Sequence, residues 1–352
     1  MNSIKTELNR DKSMRDNNMD LLRLLSCFSV VLIHVNAQYF VSRSTTPSLT
    51  SVYVIESLIN IVTRFSVPAF VMISGSFILS KRQNANALIF YRKSFKKVFL
   101  PLIPAVFFFA VYDRLLKGVS LIAILEALVN GTYYNLWFMF MLLCLYALVP
   151  ILVKLKAVLP WHWWGRLGCA LLFWAIVSQA TSAYALSYDI GIVASFLGYF
   201  IIGNFLHENY HDLKLPSLPT CVIIISLLVI VTFFVRYFGF SFYSFNAYRS
   251  FFSPSIVVIS LLIFIIFCNG RISLSFKNTA KLTYYVYVFH TLVYTILMQF
   301  IGNPAHELRT IVFVFALTIL ISFTLAKLYS ILWRYLWRIC SSKPTSVTTH
   351  CV

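Results

Sequence analysis

Charge is what this chain has least of. Only 11% of its 352 residues are Asp, Glu, Lys or Arg, where a soluble domain carries about 25%. Acids are the scarcer sign, 11 against 29 Lys and Arg, and they are nearly absent from the apolar stretches. A soluble globular fold is excluded, and carboxylate relays across a membrane are not evident. No long polar stretch interrupts the chain, so no separate soluble domain is expected. The seven cysteines form no CxxC and no spaced pairs; they read as small apolar fillers, with no disulfide framework and no metal cluster. Residues 1–18 are polar and the first apolar run lacks a small-residue cleavage site, so a cleavable signal is not expected. No internal repeat is visible, and the two halves lack matching interrupted helices, which weakens an inverted-repeat transporter reading.

Hydrophobic residues make up 60% of the chain. Ten apolar segments are long enough to span about 30 Å of hydrocarbon: 20–40, 52–79, 97–116, 135–153, 167–184, 190–206, 219–238, 253–268, 282–301 and 309–333. Segment two is long and is expected to tilt or break at Pro68. The net charge of +18 lies between spans, so it reports topology and membrane lipid, with no nucleic-acid partner expected. The N-terminal tail and the even-numbered connections are rich in Lys and Arg. The odd ones carry chiefly Arg43, Lys117 and Arg249. The fold expected is an all-α polytopic membrane bundle of about ten transmembrane helices with both termini cytoplasmic. Its parts would be a tail over 1–19, a membrane domain over 20–333 and a second tail over 334–352. Trp161, His162, Trp163 and Trp164 read as an interfacial aromatic belt.

Within the first segment, Arg23 and His34 stand eleven residues apart. At about 100° per residue, three turns return His34 to nearly the face of Arg23, and Asp20 falls on the same stripe. Ionisable groups in an apolar run are costly, so they are paired, face a cavity, or work. The basic run Arg92, Lys93, Lys96 and Lys97 precedes Pro101. On a helix its i,i+4 pairs would form two adjacent cationic stripes suited to a polyphosphate, besides any role in topology. Ser74 and Gly75 end segment two just before that surface, as small residues for helix packing or as a cavity lining. His207 and His211 match HExxH, but outside a span and without a third ligand, so no metal is expected. Tyr287 and His290 in segment nine could line the same cavity as His34, or form an aromatic seam.

These residues, in this order, resemble the acyltransferase 3 family of bacterial integral membrane acyltransferases, from Asp20 to about segment ten. Arg23 and His34 match its opening Arg-x10-His motif. Phe70 to Gly75 resemble its F-x-x-S-G stretch, and Arg92 to Pro101 its basic stretch. Leu136-Trp137-Phe138 with Tyr146 and Pro150 resemble its L-W-F segment, Gly198 to Gly203 its G-Y-F-I-x-G segment, and Tyr287 to His290 its late Y-x-x-H. The family often has two arginines where this chain has mostly lysines, so the likeness extends to the cluster and not to one pair. The chain resembles the short, stand-alone members that O-acetylate surface polysaccharides.

The resemblance implies an O-acyltransferase of the bacterial inner membrane. The donor would be acyl-CoA, most simply acetyl-CoA, and the acceptor a sugar hydroxyl of a cell-surface polysaccharide or its lipid-linked precursor. His34 would be the base or a transient acyl carrier, Arg23 the orienting or charge-stabilising cation, and Asp20 a positioning group. Arg92, Lys93, Lys96 and Lys97, with Ser74 and Gly75, would hold the donor. Trp137, Tyr287 and His290 would line the substrate cavity. The alternative is a multi-span transporter of a small molecule or lipid-linked glycan.

Overall fold

A computed structural model describes residues 2–41, 51–129, 133–181, 190–238, 251–270, 272–301 and 308–341. Arg43, Arg249, Arg271 and Lys343, which contribute to the charge pattern, lie outside the described residues. The described residues form a helical bundle without strands. In chain order the helices are α1 (Asn2–Val41), α2 (Ser51–Thr63), α3 (Ser66–Leu79), α4 (Ala87–Ser94), α5 (Leu100–Leu116), α6 (Leu121–Val129), α7 (Trp137–Val158), α8 (Trp161–Thr181), α9 (Ile190–Asn209), α10 (Leu218–Tyr237), α11 (Pro254–Asn269), α12 (Lys277–Ala280), α13 (Thr283–Ile301) and α14 (Leu308–Ser341). A helix occupies each of the ten apolar segments. Among the described residues, seven stretches are long and apolar enough to cross a membrane: Asn17–Ala37, Tyr53–Leu79, Ala87–Leu116, Trp137–Val158, Leu218–Tyr237, Thr283–Ile301 and Leu308–Tyr335. Pro254–Asn269 is a shorter apolar helix.

Two interruptions position the later chemistry, and proline causes both. Segment two breaks between Thr63 and Ser66. Pro68 lacks an N–H, and its ring clashes with the carbonyl four residues earlier, at Arg64. The helix therefore stops and restarts around that residue. Ahead of α5, residues Phe95–Phe99 form a π-helical turn, in which the Leu100 N–H donates to the Phe95 carbonyl. Pro101 has no N–H to offer the Lys97 carbonyl, so the ladder shifts by one. Tyrosines brace this start. The Tyr284 hydroxyl donates to the Val98 carbonyl at 2.5 Å, and Tyr329 donates to the Pro101 carbonyl at 2.7 Å. The opening of α5 is thereby tied to α13 and α14.

Helix α1 lies against α2, α3, α11, α13 and α14, so its polar stripe is enclosed on several sides. Helices α3 and α9 pack along most of their length. Small residues allow this close approach: a Cβ on Gly75 would overlap the Phe200 backbone, and one on Gly203 the Met72 backbone. The Ser76 hydroxyl lies in the same crossing, within hydrogen-bond distance of the Met72 carbonyl (2.8 Å) and the Gly203 carbonyl (2.9 Å).

Acids inside the apolar segments are fewer than the cations but structurally prominent. Glu56 in α2 and Asp113 in α5 are both buried, which corrects the expectation that the spans hold almost none. Asp113 accepts from Tyr133 at 2.9 Å and Tyr134 at 2.6 Å, and pairs with Lys117 at 3.0 Å. Burial first, then the Asp113 carboxylate, pushes both phenols above their usual range, so they stay protonated and donate. Tyr134 takes a left-handed backbone (φ 46°), a costly conformation for an aromatic residue, held by these bonds just before α7 begins. Of the expected tryptophan belt, Trp161 and Trp163 are exposed as anticipated, while Trp164 is buried and donates to Asn204 at 3.1 Å.

Candidate active site

Helix α1 carries two polar stations. At the first, Asp20 and Arg23 form an ion pair at 3.2 Å, one turn apart. The Arg23 guanidinium lies 5.8 Å from the Phe77 ring centroid, on α3. Tyr146 of α7 is within its electrostatic reach and hydrogen-bonds Ser74. Thus Asp20, Arg23, Ser74 and Tyr146 converge from three helices. Phe90 of α4 packs on Tyr146, and the neighbouring Tyr91 donates to the Ala147 carbonyl at 2.7 Å. The station therefore adjoins the helix that leads into the basic run.

The second station is about 16 Å further along α1, eleven residues at 1.5 Å each. Here the His34 and His290 rings lie 5.2 Å apart, centroid to centroid. The His290 Nδ1 is 2.6 Å from the Tyr287 carbonyl. A carbonyl only accepts, so Nδ1 carries the proton and Nε2 is left as an acceptor for the Thr291 hydroxyl at 3.3 Å. Tyr287 packs on His290 at 5.4 Å and on Phe138 at 5.1 Å. These contacts form the aromatic seam expected of segment nine, and the seam holds the imidazole in place.

A third ionisable group joins this station. Arg64, at the α2–α3 break, lies within electrostatic reach of His34. Its Nε donates to the Asn60 side chain at 3.3 Å, and its guanidinium lies 5.4 Å from the Phe251 ring centroid. Trp137 packs on that same ring at 5.9 Å, which connects it to the station. Sequence reasoning missed Arg64, although the signal was present: a cation in an apolar run, four residues before a proline. Between the stations, the α1 residues Leu24, Ser26, Cys27, Val30 and Val31 are all buried. Leu25 is exposed and Phe28 and Ser29 are half-buried, so one face of a mostly apolar stretch is packed.

A family model described as an acyltransferase domain, that of acyltransferase 3, matches residues 16–327. The chain belongs to the acyltransferase 3 family. It is accordingly a multi-pass membrane protein with an acyltransferase domain, and both stations fall inside the matched region. No curated protein and no solved structure matches it.

The remaining expected residues of this acyltransferase are placed unevenly. Arg92 and Lys93 occupy the last turn of α4, while Lys96 and Lys97 sit on the π-helical turn. All four are exposed. The wider turn alters the angular relation assumed for a regular α-helix, so the two i,i+4 stripes are not continuous. Ser74 reaches the first station, but Gly75 sits at the α3–α9 crossing. A Gly75→Leu variant should therefore lose stability by roughly 1–3 kcal/mol or more, with the surviving protein keeping its donor KM. An unchanged melting temperature with a raised donor KM would return Gly75 to the donor station.

The HExxH residues of the acyltransferase are otherwise engaged. Helix α9 ends at Asn209, which leaves His211 beyond the helix. The His207 ring packs on Phe77 at 5.5 Å, and the His211 ring on Tyr210 at 3.7 Å. Glu208 pairs with Lys156 at 2.6 Å. Burial alone would raise this carboxyl, but hydrogen bonds from Lys156, Ser80 and Asn204 outweigh it and hold it below the usual range. Glu208 thus joins α7 to α9. Among the described residues, no group of three or more His, Cys, Asp and Glu could hold a metal ion.

Proposed function

We propose that this acyltransferase moves an acyl group, most simply acetyl, from acyl-CoA to a sugar hydroxyl of a cell-surface polysaccharide or its lipid-linked precursor. We place it in the bacterial inner membrane with ten spans and both termini in the cytoplasm. The observation that carries the reading is the meeting of His34 with His290 and Arg64, on the same helix that carries the Asp20–Arg23 pair. A sugar hydroxyl is a poor nucleophile until a base takes its proton, and a neutral imidazole suits that task. As His34 takes the proton, the hydroxyl oxygen attacks the thioester carbonyl. Negative charge then gathers on the carbonyl oxygen, where the Arg64 guanidinium stabilises it. The C–S bond breaks, an ester forms, and the CoA sulfur leaves as a thiol after taking the proton from His34. The same pair of histidines supports a two-step route through a transient acyl-His34.

Arg23, tied to Asp20 and close to Ser74 and Tyr146, positions the donor. Arg92, Lys93, Lys96 and Lys97 offer cations for its phosphates. Trp137, Tyr287 and His290 line the acceptor side. A transporter finds less support: both interruptions described, at Arg64 and at Phe95–Phe99, fall in the first half of the chain, whereas inverted-repeat transporters pair such breaks in both halves. Labelled acetyl-CoA supplied to membranes with and without the protein tests the reading. Label should enter a glycan or lipid-linked saccharide only when the protein is present. No label in either fraction, with normal protein levels, would refute it.

A further inference from the structure

At the end of the bundle that the charge pattern assigns to the cytoplasm, a cleft of about 1080 Å³ opens between α13 and α14, beside the π-helical turn. Lys97, Lys281, Lys327 and Arg334 line it, and no acid does. Asn278, Thr279, Thr324 and Ser330 add neutral polar groups. Its composition changes along its length. On α14 the lining runs from Leu320 and Phe323 through Thr324 to Lys327, Ser330 and Arg334. Over these residues the helix rises about 21 Å, at 1.5 Å per residue. Opposite, Leu282 and Tyr285 of α13 add apolar surface, and the Tyr285 ring packs on Tyr329 at 5.3 Å. The cleft is therefore greasy at one end and fourfold cationic at the other.

The geometry separates this cleft from the histidine pair. Tyr285 lines the cleft, while Tyr287 and His290 face Phe138 and His34. On a helix, residues two and five positions beyond Tyr285 point about 200° and 140° away from it. Helix α13 thus stands between anything held in the cleft and the reacting groups. On the α14 side, Leu320, Thr324, Lys327 and Arg334 are exposed, so the cleft is open along the outer flank of the bundle.

We propose that this cleft is a binding site for an anionic phospholipid, with a hydrocarbon chain along Leu320 and Phe323 and the phosphate among Lys281, Lys327 and Arg334. Basic pockets between membrane helices on the cytoplasmic side suit anionic headgroups, and guanidinium and ammonium donors match phosphate oxygens. Lys97 sits on the π-helical turn that leads into α5, and Tyr329 of α14 donates to the Pro101 carbonyl beside it, so a lipid bound here would lie against the joint of α5 with α14. Lys97 is shared with the basic run proposed for the donor phosphates, so the test rests on Lys281, Lys327 and Arg334, which that reading does not use.

The test titrates purified full-length protein in detergent with phosphatidylglycerol and with phosphatidylcholine, and reads retained lipid by native mass spectrometry. The wild type should prefer phosphatidylglycerol. A surface cation contributes about fivefold, so Lys281→Gln/Lys327→Gln/Arg334→Gln should reduce that preference on the order of 100-fold. Lys281→Arg/Lys327→Arg should retain it. If the triple variant does not fold, Lys327→Gln alone, at an exposed position, should still lower the preference about fivefold. Equal retention of the two lipids by the wild type, or an unchanged preference in the Gln variants, would overturn the proposal. Displacement of phosphatidylglycerol by acetyl-CoA would overturn it too, by assigning the cleft to donor phosphates.

Discussion

His34→Ala should abolish acyl transfer while expression and membrane insertion stay normal. A general base contributes about 10²–10⁴ in rate. The other imidazole described at this station is His290, whose Nδ1–H is held by the Tyr287 carbonyl and whose Nε2 faces the Thr291 hydroxyl, and the proposed mechanism gives the proton to His34. The measurement is transfer of labelled acetyl by membranes containing equal amounts of each variant. Near-normal transfer by a well-inserted His34→Ala protein would remove His34 from the chemistry. His290→Ala should be milder, since on the proposed mechanism that ring packs beside His34 and does not take the proton.

Arg64→Gln should fall nearly as hard, through kcat rather than donor KM. Removing one group that stabilises the oxyanion of an acyl transfer typically costs about 10²–10³ in kcat. Arg64 is the cation that shares a station with His34, while Arg23 is about 16 Å away along α1, at 1.5 Å per residue. The two arginines therefore predict different kinetic signatures. Arg23→Gln should chiefly raise the KM for acyl-CoA, because it removes binding made equally in the ground and transition states. Arg64→Gln should leave that KM nearly unchanged. The opposite pattern, with Arg23 controlling kcat and Arg64 only KM, would exchange their roles and break the two-station arrangement.

Much of this was legible in the residues, for specific physical reasons. Ionisable groups in an apolar helix are expensive enough to be conspicuous, so Arg23 and His34 stood out before any coordinates. Their eleven-residue spacing placed both on one stripe of α1. The break in segment two was readable from Pro68. His290 was a weaker signal, because only the meeting of α1 with α13 brings it to His34. Gly75 and Ser74 could not be separated by sequence, since a small residue serves a helix crossing and a cavity wall alike. The π-helical turn was half readable: Pro101 announces the missing N–H, but the tyrosines that brace the turn, Tyr284 and Tyr329, lie more than 180 residues away. Arg64 and Glu56 were readable but outweighed, because a strongly apolar segment hides one charge in its average.

The packed interval on α1, from Leu24 to Val31, bears on energy as well as shape. The α1 residues between the stations, Leu24 to Ile33, carry no formal charge. A phosphate crossing that interval would forfeit its solvation, whereas a neutral thioester end would forfeit little. On the proposed mechanism, the nucleotide stays on its own side and only an uncharged acyl group advances. One elementary charge moved through the full membrane field would exchange about 2.3 kcal/mol per 100 mV with the transmembrane voltage. Turnover here would move essentially none. The reaction would then be electrically silent, drawing its driving force from thioester cleavage and running at the same rate in energised and de-energised membranes.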